Sequence, residues 1–151
     1  MGRFEIIPGR QFHCGAMVRR LRAEQRDAIT ALGVNLHSNL RSNFDASMFS
    51  RAWLVDGELA GLGGVTGSEL STTGYVWLAL SEAATKFPIE IARETRRQLA
   101  RVLLTKRDLI TTIIPEDAKS LRFAEWLGFD IVEPTPVPVG NGRVLIVKYR
   151  S

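Results

Sequence analysis

The spacing of apolar positions changes twice along this chain. Over residues 16–32, Val18, Leu21, Ala28, Ile29 and Leu32 recur at helical steps, while Arg19, Arg22 and Arg26 fall on another face. That spacing predicts one amphipathic helix, closed by Gly33. Residues 35–47, NLHSNLRSNFDAS, are rich in Asn and Ser with little periodicity and read as loop or a short irregular helix. Over residues 51–65, RAWLVDGELAGLGGV, two apolar runs flank Asp56-Gly57, a dipeptide suited to the positive φ angles of a type I′ turn. A β-hairpin is predicted, with Gly61, Gly63 and Gly64 marking a bulge or a close backbone approach. Residues 67–74 form a loop, and YVWLAL at 75–80 reads as a strand covered on both faces.

The second half alternates in type. Pro88 suits the first turn of a helix whose inner face is Ala92, Leu99, Val102 and Leu103 and whose end lies near Lys106 and Arg107. LITTII at 109–114 is a β-branched strand. After Pro115 a short helix runs to Leu127-Gly128-Phe129, where Gly128 takes the left-handed conformation and Phe129 starts a strand as a core residue. A Pro-rich link over 133–142 leads to a last strand, VLIVKY. The order is helix, hairpin, strand, helix, strand, helix, strand, strand. It predicts a mixed α/β sheet in a single domain over residues 1–151, antiparallel in its first half and parallel in its second.

Composition adds bounds. With 45% hydrophobic and 24% charged residues the chain is of globular type. A net charge of +4 permits contact with nucleic acid or phosphate without requiring it. One cysteine, Cys14, excludes an internal disulfide, and no apolar run approaches the length of a membrane span. Two histidines and one cysteine provide no metal-ligand spacing. His13 and Cys14 are adjacent, so their side chains diverge and do not form a nucleophile-base pair; His37 falls in the Asn/Ser-rich stretch. Trp53, Trp77 and Trp126 read as core or core-edge residues.

The order of elements over residues 51–132, with Asp117, Ser120, Phe123, Ala124, Leu127, Gly128 and Phe129 on the last helix and its exit, resembles the GNAT acyl-CoA N-acyltransferases. The resemblance implies helices on both faces of the sheet and, in an active relative, CoA in the cleft where two parallel strands splay. It implies a glycine-bearing loop that turns backbone N–H groups to the CoA pyrophosphate, but EAATKFPIEIARE stands here, without glycine and with Pro88 and Glu90 in the first turn. It places the usual acidic Tyr at Ala124, which has no proton to give. If acetyl-CoA binds, the implied contacts are Leu80, Ser81, Phe87 and Ile89, and the amine is deprotonated either by Glu82, just past the YVWLAL strand, or through water.

Read together, the Trp-Leu strand, the glycine-free loop, the Phe87-Pro88 helix start, Arg96-Arg97 and SLRFAEWLGF also resemble GNAT-related proteins of short-tailed bacteriophages. That resemblance implies a non-catalytic virion or assembly protein with no cofactor, located in a virion or the host cytoplasm and acting through its surfaces on other virion proteins. Arg93, Arg96, Arg97 and Arg101 form the ridge such a surface would use. A homo-oligomer, and nucleic acid on the arginine stripes, are further partners it admits. The alternative is an active N-acyltransferase that moves an acetyl group from acetyl-CoA to an amine.

Overall fold

The computed structural model describes residues 3–67, 70–132 and 135–149. Strand β1 (Phe4–Pro8) is followed by helices α1 (Phe12–Arg20), α2 (Ala23–Ala31) and α3 (Leu36–Asp45). Strands β2 (Ser47–Val55), β3 (Glu58–Thr66) and β4 (Thr73–Leu80) form an antiparallel run to which β1 adds an edge. A 3-10 turn, Glu82–Lys86, leads into α4 (Pro88–Val102), then β5 (Asp108–Ile113) and α5 (Ala118–Leu127). Short strands β6 (Phe129–Ile131) and β7 (Val137–Val139) both pair with β8 (Gly142–Tyr149). The sheet order is β1-β2-β3-β4-β5-β8-β6, with β7 also on β8.

The hairpin forms where its turn residues predict: Asp56 and Gly57 have φ of 52° and 81°. Glycine in β3 serves close approach, since a Cβ on Gly64 would stand 2.6 Å from the Phe49 carbonyl oxygen. Among the described residues, parallel pairing is confined to β4 and β5. Strand β8, not β6, lies on the other side of β5, and it is antiparallel. The expected parallel second half is therefore a single parallel pair, because β8 returns between β5 and β6.

Alternation along the strands separates two cores. Cys14, Met17 and Leu40 from the N-terminal helices, with Leu21 between α1 and α2, pack with Ala52, Leu62, Trp77 and Ala79 on one face. On the other, Ile91 of α4 packs with Trp53, Val55 and Ala60, and Leu99 and Val102 pack with Leu109, Leu127 and Phe129. Helices thus cover both faces. Gly128, at φ 113°, ends α5 by donating its N–H to the carbonyls of Ala124 and Glu125.

The single helix expected over 16–32 is two. Leu21 and Arg22 are extended, with ψ of 139° and 143°. Leu21 makes a β-bridge to Ser81, and the Arg22 N–H donates to the Leu80 carbonyl at 3.0 Å. Tertiary pairing with the end of β4 overrides a helical pattern that was locally continuous. The Asn/Ser-rich stretch is regular helix, capped by Asn35 Oδ1 accepting from the Ser38 N–H at 2.9 Å. Trp126 is 50% exposed and is not a core residue, whereas Trp53 and Trp77 are buried.

Candidate functional site

Strands β4 and β5 pair only at Thr73, Gly74 and Tyr75 opposite Asp108, Leu109 and Ile110, and beyond Tyr75 they part. A cleft of about 470 Å³ opens in the wedge, lined by Leu78 and Leu80 of β4, Thr111 and Ile113 of β5, and residues of α2, α4 and α5. At its base the Tyr75 hydroxyl and Thr112 Oγ1 lie 2.9 Å apart. The strand edge facing the wedge can be assigned. The Ser81 N–H donates to Ala60 of β3, so Leu80 and Leu78, which alternate with their neighbours, direct their backbone groups the other way, into the cleft.

That edge already has partners from α2. Gln25 Nε2 donates to the Leu78 carbonyl at 2.7 Å, and the Leu80 N–H donates to Gln25 Oε1 at 3.0 Å. Arg22 also lines the cleft, and its Nε is buried without a hydrogen-bond partner. Across the opening, Lys119 at the start of α5 meets Glu24 of α2 at 3.2 Å. Hydrogen bonding to its own backbone and to Lys119 holds the Glu24 carboxyl below its ordinary value. On α5, Asp117 caps the helix by accepting from the Ser120 N–H at 3.2 Å and the Ser120 hydroxyl at 2.6 Å. Ala124 follows one turn later, also in the lining.

Of the residues implied by resemblance, Leu80 lines the cleft. Ser81 is buried and engaged in scaffolding: its hydroxyl donates to the Leu59 carbonyl at 2.7 Å and accepts from the Ala83 N–H. Phe87 is the N-cap residue of α4, with no side-chain cap bond, and Ile89 is 59% exposed. Glu82 is exposed on the first turn of the 3-10 segment, beside the cleft and outside its lining. Arg93, Arg96, Arg97 and Arg101 lie on α4, with the Arg96 guanidinium 4.6 Å above the Trp126 ring and Arg97 paired to Glu94. Because α1 and α4 cover opposite faces of the sheet, the Arg19 stripe and the α4 ridge do not merge.

His13 and Cys14 are buried on the inner face of α1, away from the cleft lining. Burial pushes the Cys14 thiol up, and burial with Arg10 nearby lowers the His13 pKa. Among the described residues no cluster of His, Cys, Asp and Glu has metal-binding geometry, and no helix is long and apolar enough to cross a membrane. Gln25 had no signal in the sequence, and Arg22 stood out only as a member of the Arg19, Arg22 and Arg26 stripe. In a helical pattern both look like solvated positions, and only the break at Leu21 brings them to β4.

No protein-family model matches the sequence, and no curated protein matches it. Solved structures do match the fold. The acetyltransferase of the GNAT family from Bacillus anthracis is 15% identical, with 97% of this chain and 93% of that chain covered at a TM-score of 0.67. The ribosomal-protein-S5-alanine acetyltransferase from Vibrio fischeri is 9% identical, with coverage of 96% and 91% and a TM-score of 0.63. YncA from Salmonella typhimurium, provisionally described as an acetyltransferase and solved with its cofactor acetyl-CoA, is 14% identical, with coverage of 97% and 93% and a TM-score of 0.61.

The chain therefore has the GNAT fold. The expectation of a protein without a cofactor is corrected by the last of these structures, in which this fold is seen with acetyl-CoA. The resemblance to phage proteins, with virion partners and virion location, finds no support in these structures, all of them described as acetyltransferases.

Proposed function

We propose that the chain is an N-acyltransferase that takes an acetyl group from acetyl-CoA and gives it to an amine in the β4/β5 cleft. The observation that carries this reading is the parting of the parallel pair β4 and β5 beyond Tyr75, which turns backbone groups of Leu78 and Leu80 toward an otherwise largely apolar channel, where Gln25 and the Arg22 N–H now pair with them. The arm of acetyl-CoA is a thin chain bearing amides, and such a chain pairs with a strand edge as a peptide does.

The chemistry asked of the site is modest. A neutral amine attacks the thioester carbonyl, negative charge gathers on the carbonyl oxygen, the C–S bond breaks, and the nitrogen loses a proton. The Leu78 N–H, directed to the cleft edge, is placed to donate to that oxygen. Glu82, beyond the end of β4, is the carboxylate assigned to remove the proton, through water because it stands outside the lining. Ala124 supplies no acid, so the thiolate, from a thiol of pKa about 8.5 by analogy with cysteine, leaves unprotonated or takes its proton from solvent.

The test is titration calorimetry with acetyl-CoA together with a thiol-release assay over a panel of amines. Saturable binding and amine-dependent release of CoA thiol are expected. Binding without release for any amine would overturn catalysis and leave a cofactor-binding protein.

A further inference from the structure

We propose that the first turn of α2 is a displaceable latch on the cleft, in which the Gln25 side chain occupies the place an amide of the acetyl-CoA arm takes on binding. The inference rests on the acyltransferase reading above. A primary amide that donates to the Leu78 carbonyl at 2.7 Å and accepts from the Leu80 N–H at 3.0 Å acts as a single residue of a neighbouring strand. An empty cleft would otherwise leave these two backbone groups unpaired in largely apolar surroundings, which is costly. Gln25 removes that cost with a flexible side chain, and an incoming amide can replace it bond for bond.

The element that carries the latch is loosely held. Helix α2 has no fully buried residue. It is bounded by the extended Leu21-Arg22 junction on one side and by Gly33, at φ 77°, on the other. The Glu24–Lys119 pair across the opening joins side chains that are 49% and 60% exposed, and exposed pairs hold weakly. The first turn of α2 can therefore release β4 without disturbing a core.

Removal of the latch should tighten binding, whereas losing a direct ligand contact would weaken it. Calorimetric titration of wild type, Gln25→Ala and Gln25→Met with acetyl-CoA provides the test. Methionine keeps the length and helix propensity of glutamine but cannot bond to the edge. Both variants should bind acetyl-CoA about 3- to 30-fold more tightly, the worth of one or two net hydrogen bonds no longer displaced. Hydrogen exchange at the Leu80 amide should be faster in the free variants than in free wild type and slow again on adding acetyl-CoA. Unchanged or weaker binding by a folded variant, with wild type binding normally, would overturn the latch and leave the acyltransferase reading standing. Absence of binding by wild type and variants alike would overturn both.

Discussion

The Ser120 hydroxyl donates to Asp117 Oδ2 at 2.6 Å, one helical turn before Ala124. The hydroxyl that α5 presents nearest to Ala124 thus has its proton engaged in capping the helix, and the position after it is a methyl group. Apart from Lys119, whose ammonium is engaged with Glu24, α5 brings to the proposed site no acid able to protonate a leaving thiolate. The rate of acetyl transfer should accordingly rise with pH and reach a plateau without an alkaline fall, whereas Ala124→Tyr should introduce a falling limb near the phenol pKa of about 10. Ser120→Ala should change turnover less than about threefold, since it removes a helix-capping bond and no group of the reaction. A wild-type profile that falls between pH 8 and roughly 10 would show that another acid acts.

The start of α4 gives a second expectation. Pro88 has no N–H, Glu90 lies in the first turn, and the Phe87 side chain makes no cap bond. A helix N-terminus normally attracts phosphate through its free N–H groups and its dipole. Here one donor is missing and a carboxylate opposes the anion, so binding should depend on the amide-bearing arm. S-acetylpantetheine, which lacks the nucleotide and pyrophosphate, should bind within about tenfold of acetyl-CoA, a difference under roughly 1.4 kcal/mol. A loss of a thousandfold or more in calorimetry would mean that the pyrophosphate is held well after all.

Gly128 supports a test of the scaffold. At φ 113° it carries the left-handed turn from α5 into β6, and an added Cβ would come 3.2 Å from Tyr149 Cε2. Gly128→Ala should cost about 1 kcal/mol or more from conformation alone, with the tyrosine contact adding to it. Urea denaturation reads the difference, and a neutral result would mean that the turn relaxes to another conformation.

The elements that sequence made legible are those whose signals are local. Asp56-Gly57 specifies its turn through φ, Pro88 starts a helix because it lacks an N–H, and Gly128 stops one because it lacks a Cβ. The break at Leu21 was not legible, since the apolar spacing from Val18 to Leu32 continues across it and only pairing with Ser81 and Leu80 pulls the chain into an extended form. Two candidate-site residues were lost with it, Arg22 and Gln25, whose significance lies in which strand edge they reach. Strand β1 was equally hidden, because Phe4–Pro8 is short and gains its register only from β2. Trp126, expected in the core or at its edge, lies half-exposed in the cleft lining under Arg96, where a cation over the indole face accounts for its setting.

His13 provides a pH test that is independent of the cleft. It is 4% exposed, and its Nδ1 accepts the Arg10 N–H at 2.9 Å. Burial, and then the Arg10 charge, lower its pKa from the ordinary 6.5. Protonation would place a charge on the buried inner face of α1 and remove the lone pair that accepts the Arg10 bond. The folded state therefore binds this proton less readily than the unfolded chain. The resulting stability is fully present above about pH 6.5 and is lost as the pH falls below it, at no more than about 1.4 kcal/mol per pH unit for one proton. The effect of Glu24 lies lower, because its carboxyl is held below the ordinary 4.5 and its contribution disappears only as the pH falls below that value. Between pH 6.5 and roughly 5 the decline should belong mainly to His13. His13→Asn, which keeps a short acceptor for the Arg10 N–H but does not titrate, should flatten the stability curve in this window even if it lowers stability overall. Urea denaturation of both proteins at half-unit pH intervals decides the matter, and parallel curves for wild type and variant would show that His13 is not the titrating group.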